Sequence, residues 1–387
     1  MFKKYMLWIA CVFISTLSVV PTGFATSDDL AQNARSAVLI DAASGRVLFE
    51  KNAHQSMPPA SITKVMTMLL LMEAIENKKI TWTDKIRTSE RAASMGGSQI
   101  FLQPGEEMSV RDMLKGIAMA SGNDTSVAVA ERLAGTEARF VEKMNARAKQ
   151  LGMKDSKFQN SNGLPVADHF SSAYDIALMS RALLQYPEIT KFTGAYEDHL
   201  RKDQPKPFWL VNTNKLVRFY QGADGLKTGF TNEAKYCLTA TAKKSGMRVI
   251  AVVMGEPDSK IRNAEVMQLF DYAFANYEPK IVVEKGKELG TIHWPNAEPN
   301  QLTVNAPKAY SILHDKNQDN TKLNYTSSIE WTPNLQPPIQ MHQQVGMIVV
   351  KNGTQVVLKE PLYASQSIRV ATWQDQWRRI IHSLIAP

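Results

Sequence analysis

Ser61-Ile62-Thr63-Lys64 places a hydroxyl and an amine three residues apart, on one face of a helix about one turn from each other. A serine hydroxyl is a weak nucleophile until a neighbour takes its proton. A lysine can be that neighbour only if burial or a second cation draws its pKa down. Ser121-Gly122-Asn123 offers a further hydroxyl and a carboxamide, and Lys227-Thr228-Gly229 offers the second cation and another hydroxyl. Its glycine lets another backbone come close, as a substrate laid along a strand edge requires. Each motif alone also has a plainer reading: a Ser and a Lys at a helix margin, an N-cap by Asn123 or Asp124, and a turn with a solvated Lys227. All three in this order, on these element types, are a much rarer coincidence.

The elements around these residues have their own patterns. Pro58-Pro59 introduces residues 60–76, apolar on nearly every side, which reads as a buried helix. A lysine in such a helix breaks the local rule, and such breaks concentrate at functional sites. Helical patterns follow at 110–120, 124–133, 138–151 and 172–184, after a β-hairpin at 36–50. Residues 236–241 and 247–254 are strand-like about a Lys-Ser-Gly turn, and 261–277 returns to helix. This order predicts an α+β domain over residues 30–277, a mainly antiparallel sheet flanked by helices and closed by both ends of the segment. Residues 279–362 then read as a small all-β domain, with a hairpin turning at Asn352-Gly353.

Composition narrows the function classes. The chain has 387 residues and a formal charge of +8, too modest an excess of base for its length to be a nucleic-acid signature. Lys3 and Lys4, an apolar run to Val20 and the small residues before Ala25 describe a signal peptide, residues 1–25, and hence an exported protein. Its removal takes Cys11 and leaves Cys237 as the only thiol, mid-strand and expected to be inert. The seven histidines have no metal-ligand spacing, so neither metal nor other cofactor is expected. In residues 366–387, Trp373, Trp377, Ile380, Ile381 and Leu384 recur at helical spacing beside Arg378 and Arg379. That pattern suits a membrane interface, or a helix packed on the β domain.

The three motifs, their order, the signal peptide and the trailing β domain resemble the low-molecular-mass penicillin-binding D-alanyl-D-alanine carboxypeptidases, among the active-site serine penicillin-recognising enzymes. Residues 37–41, 94–102, 162–164 and 224–240 also look like that family. The resemblance implies a β-lactamase/transpeptidase-like catalytic fold and removal of the terminal D-alanine from peptidoglycan stem pentapeptides. Ser61 would form the acyl-enzyme, which β-lactams would trap covalently; Lys64 would accept its proton, and Ser121 would relay a proton to the leaving D-alanine. Asn123 would hold the substrate amide and orient Lys64. The backbone N–H groups of Ser61 and Phe230 would bind the oxyanion, while Lys227 and Thr228, beside Gly229, would face the substrate carboxylate. By the same resemblance the C-terminal segment would hold the enzyme to the outer face of the cytoplasmic membrane.

One departure stands out. Asn212-Thr213-Asn214 occupies a stretch where some members carry an arginine for the terminal carboxylate, and Arg248 is the candidate substitute cation. Three other activities are weighed: a D,D-endopeptidase on cross-links, a class A β-lactamase, and an inactive wall-binding or β-lactam-sensing module. The lactamase would need a Glu-x-x-x-Asn between the second and third motifs. None of Glu131, Glu137, Glu142, Glu188 and Glu197 has an asparagine four residues on.

Overall fold

The computed structural model describes residues 29–318 and 324–385, and the expected signal peptide, residues 1–25, lies outside them. Five antiparallel strands form the central sheet: β1 (Ser36–Asp41), β2 (Val47–Lys51), β3 (Ala223–Thr231), β4 (Lys235–Lys244) and β5 (Met247–Glu256). Their order is β2-β1-β5-β4-β3, so the sheet's first strand pairs with its last and the sheet is closed by both ends of the domain. β1 is buried at every position and β5 at nearly every one, because both faces of the sheet are covered. One face carries helix Ser259–Asn276, whose Val266, Leu269, Phe270 and Ala273 pack on Leu39, Leu238, Val249 and Val253. The other carries the helical cluster around Lys64–Glu76, with Val110–Ala118, Asn123–Ala134, Glu137–Gln150 and Ala173–Leu183 about it.

Helix Lys64–Glu76 is buried at nine positions on all sides, as its lack of a polar face requires. Strand β3 starts at Ala223, ahead of the third motif, so Lys227, Thr228 and Gly229 lie inside a strand and do not open one. The glycines at 225 and 229 hide that strand in the sequence, since glycine is a weak strand former. β3 is the edge of the sheet, and its outer side faces the helical cluster and the cleft beside it.

Helix Ser259–Asn276 runs directly into strand Tyr277–Val283, which pairs with Tyr310–Asp315 at the start of the β-rich part. That part has its own core, around Trp294, Leu302, Tyr310, Ile348 and Leu362. Its main hairpin joins Gln344–Asn352 to Gln355–Tyr363, with Asn352 opposite Gln355. The two loop residues are therefore Gly353 and Thr354, one place later than the Asn-Gly reading, and Gly353 takes the required positive φ of +58°. Asn352 uses its side chain instead, accepting from the Asn324 N–H at 3.2 Å.

Strand Arg369–Val370 pairs with Ala297–Glu298, so residues beyond 362 still belong to the β-rich part by pairing. Helix Trp373–Ile385 follows. Arg379 ties it to the β-rich part through the Pro295 and Ala297 carbonyls and Glu298, while Trp373, Trp377 and Ile381 stay exposed. Among the described residues, no helix is long and apolar enough to cross a membrane.

Candidate active site

Ser61 does not sit on the α-helix proper. Residues Ala60–Thr63 form a 3₁₀ turn, and the α-helix begins at Lys64. Ala60 enters this turn in the left-handed region, at φ +47°, after the two prolines. Such a backbone costs about 1–3 kcal/mol for a non-glycine residue and persists only where the surroundings enforce it. The enforcing neighbour is the 160–164 loop: a Cβ on Gly163, at φ +87°, would lie 1.8 Å from the Ala60 carbonyl oxygen. β3 presses from the other side, where a Cβ on Gly229 would lie 3.0 Å from the Pro59 carbonyl oxygen. These two glycines let three backbone segments meet around the serine.

Lys64 is fully buried, and its Nζ lies 3.0 Å from Ser61 Oγ. Two acceptors flank the same nitrogen, Asn123 Oδ1 at 2.7 Å and the Asn162 carbonyl at 2.6 Å. A neutral amine has two hydrogens and one lone pair. With both hydrogens given to Asn123 and Asn162, the lone pair points at the serine hydroxyl, the arrangement of a general base. Burial is the main force that pushes the Lys64 pKa well below the ordinary 10.5, and the Lys227 cation adds to it; Asp124 pulls the other way.

The acceptors are themselves held. Asn123 opens helix Asn123–Ala134, and its Nδ2 donates to the Gly96 carbonyl at 2.6 Å, which fixes which end of the amide faces Lys64. Asp124 is buried and accepts from the Ile100 and Leu102 N–H groups, at 3.0 and 3.1 Å. Ser121, buried, stands just before this helix at φ +62°. The loop that carries Ser121 is thus brought to the nucleophile through Asn123. On the third side, Asn160 Oδ1 accepts from Gly163 N–H at 2.6 Å, and Ser161 is gripped by Glu137 at 2.7 Å.

On β3, Lys227 is fully buried with Nζ donating to the Thr228 carbonyl at 2.9 Å. Burial, then the nearby Arg262, lowers its pKa to about 7. Thr228 Oγ1 donates to Thr213 Oγ1 at 2.8 Å, which ties β3 to the Asn212-Thr213-Asn214 stretch. Thr213 N–H in turn reaches the Met119 carbonyl in the loop that carries Ser121. Phe230 is half exposed and rests on Tyr236, ring centroids 4.5 Å apart.

Ser61, Lys64 and Asn123 are thus joined by hydrogen bonds, Gly229 brings β3 against the serine turn, and the charge of Lys227, next to Thr228, acts on Lys64; Ser121 and Phe230 sit on the adjoining segments. Arg248 is not among them. It is the second residue of β5, opposite Lys243, five residues along β4 from the partner of Thr228, roughly 16 Å at strand spacing. Its guanidinium is spent in a bidentate pair with Asp224, at 2.6 and 2.7 Å, and a bond to Thr241. Sequence reasoning had placed Arg248 near the motif, and register sends it toward the opposite end of the strands. It missed the role of the Asn162 carbonyl and of Thr213. The only signals were the Asn160-Ser161-Asn162-Gly163 run and the hydroxyl in the Asn212-Thr213-Asn214 stretch.

Residues 23–258 match the family described as D-alanyl-D-alanine carboxypeptidase, and residues 277–369 match the C-terminal domain of penicillin-binding protein 5. The chain is 48% identical over 373 residues to D-alanyl-D-alanine carboxypeptidase DacF of Bacillus subtilis, covering 95% of each chain. Among solved structures, penicillin binding protein 5 from Haemophilus influenzae superposes with a TM-score of 0.69 at 31% identity, over 87% of this chain and 98% of that one. Penicillin-binding protein D2 from Listeria monocytogenes, solved in an ampicillin-bound form, gives 0.57 at 32% identity, over 62% of this chain and 98% of that one.

Gly163 offers a test of the packing around the serine turn. A Cβ there meets the Ala60 carbonyl and also strains the backbone. Gly163→Ala is expected to cost about 2–4 kcal/mol of stability, read as a lower thermal midpoint. An unchanged midpoint would mean that the loop does not brace the turn.

Proposed function

The chain belongs to the D-alanyl-D-alanine carboxypeptidase family of penicillin-binding proteins, and from that premise we propose how this site works on a peptidoglycan stem pentapeptide. The observation that carries the reading is the placement of Lys64 Nζ between two carbonyl-type acceptors and Ser61 Oγ. Lys64 takes the hydroxyl proton as Ser61 Oγ attacks the carbonyl of the D-Ala–D-Ala bond. The oxyanion settles between the Ser61 and Phe230 N–H groups, donors of the kind that lower an acylation barrier by several kcal/mol. Ser121 passes a proton to the departing D-alanine nitrogen. Water then releases the acyl group from Ser61, and the shortened peptide leaves.

The substrate adds its backbone to the open edge of β3, with Asn123 on its amide. Thr228 and Thr213 meet its terminal carboxylate, backed by the charge of Lys227; this replaces the arginine clamp expected at Arg248. A β-lactam enters the same site as a covalent inhibitor, acylating Ser61. Glu137, the buried one of the five glutamates between the second and third motifs, is committed to Arg91 and Ser161 and so serves the loop and not the hydrolysis of the acyl-enzyme.

The enzyme acts outside the cytoplasm, exported by its signal peptide, and is held at the outer face of the cytoplasmic membrane by helix Trp373–Ile385. What supports this is the division of that helix: Arg379 fastens it to the β-rich part while Trp373, Trp377 and Ile381 are left exposed.

Fluorescent penicillin is expected to label the wild type stably and Ser61→Ala not at all, with D-alanine released from a pentapeptide only by the former. Labelling of Ser61→Ala overturns the assignment, and rapid loss of the label together with β-lactam turnover makes the protein a lactamase. Removing a cation beside Lys64 raises its pKa, and the base works only when neutral. Lys227→Ala should therefore move the acid limb of the acylation profile to higher pH; a limb that stays or moves down contradicts the coupling. Deleting residues 366–387 should transfer the protein from the membrane to the soluble fraction, whereas a truncated protein that still sediments with membranes is held by some other segment.

A further inference from the structure

Behind the nucleophile lies a chain of hydrogen bonds that the acylation chemistry does not use. Gln159 N–H donates to His169 Nδ1 at 3.1 Å, which leaves the ring proton on Nε2. His169 Nε2 lies 2.8 Å from Thr63 Oγ1, and Thr63 Oγ1 donates its single proton to the Ala60 carbonyl at 2.8 Å. Both side chains are buried, and Phe158 packs edge-on against the imidazole. Burial pushes the His169 pKa down to about 4, so the ring is neutral at ordinary pH and adds no charge beside the two lysines.

The Ala60 carbonyl is one end of the Ala60–Ser61 peptide unit, and the other end is the Ser61 N–H. The unit is planar, with its C=O and N–H pointing opposite ways, so whatever holds the oxygen aims the hydrogen. Ala60 is held at φ +47°, and the direction of the peptide that follows it is set by rotation about the two bonds flanking that unit, the Ala60 Cα–C and the Ser61 N–Cα bonds. We propose that Thr63 and His169 are positioning residues that aim the Ser61 N–H into the oxyanion site by fixing the Ala60 carbonyl. His169 donates to Thr63 Oγ1, which obliges the hydroxyl proton to turn toward Ala60; Gly163 closes the space into which the carbonyl would otherwise swing. Aligned bonds of this kind strengthen one another in a dry interior. The inference rests on the reading above, that Ser61 is the nucleophile and its N–H an oxyanion donor.

The test uses Thr63→Val, which removes the hydroxyl at nearly constant shape, beside Thr63→Ser, His169→Phe, His169→Gln and the Thr63→Val/His169→Phe double variant. Each is measured for kcat and KM on a D-Ala-D-Ala peptide, for inhibition by a peptidyl boronic acid and for thermal midpoint. The boronate forms a tetrahedral adduct with an oxygen in the oxyanion site. Thr63→Val should lose about 10- to 100-fold in kcat and a similar factor in boronate affinity, with KM within about twofold. Thr63→Ser should stay within about threefold of wild type, and His169→Phe should add nothing to the double variant beyond Thr63→Val. His169→Gln can both donate to Thr63 and accept from Gln159, so it should rescue kcat where His169→Phe does not; this pair decides the matter if Thr63→Val fails to fold. Wild-type kcat in Thr63→Val, losses that follow only the thermal midpoint, or additive losses in the double variant overturn the inference. Penicillin label that still ends on Ser61 in those same variants, formed more slowly than in the wild type, leaves the assignment of the nucleophile standing; label formed at the wild-type rate counts against the inference, and an unlabelled wild type would remove both.

Discussion

Two buried lysines that form no salt bridge among the described residues, one of them against a serine hydroxyl, are the constraint on which the molecule is organised. Water is the usual compensation for an ammonium group, and here it is withheld. The interior can tolerate Lys64 by letting it be neutral, and neutrality is useful only if the lone pair has a direction. That direction comes from Asn123 and the Asn162 carbonyl, which take both amine hydrogens. The helix, the loop and the sheet edge around the serine can be understood as supports for those acceptors and for the second cation.

The supports trade local stability for geometry. Ala60 and Ser121 both hold positive φ, and Gly163 and Gly229 give up side chains so that backbones can meet. The cost is met by a large apolar interior on the helical side and a second one beneath helix Ser259–Asn276. Ala60 is itself part of the helical-side interior, so the serine turn cannot relax without unpacking it. β3 stands at the edge of the sheet, and near it the Thr228 hydroxyl donates to that of Thr213.

Much of this was legible in the sequence, for physical reasons. An all-apolar helix has one place to go, so a lysine inside it advertised its burial before any coordinate. The hairpin at the start and the strands at the end announced a sheet closed by both. What was not legible depended on register and on backbone atoms. Arg248 lies on a strand of the same sheet as Lys227, yet strand pairing sets it beside Asp224, toward the opposite end of the strands from Thr228 and Gly229. The Asn162 carbonyl has no side-chain signature, and the 3₁₀ entry to the helix hides behind ordinary helical spacing. In the β-rich part, an Asn-Gly pair promised a turn one residue too early, because Asn352 was wanted as a side-chain acceptor.

The protonation state of Lys64 is the quantity that decides between this account and a merely structural lysine. Lysine carrying carbon-13 at the ε position, assigned by comparison with Lys64→Arg, reports it directly by NMR titration of the free enzyme. The account predicts a Lys64 resonance that titrates well below the ordinary 10.5. A resonance that titrates at or above that value would show a lysine charged throughout the working range, with no lone pair to offer Ser61.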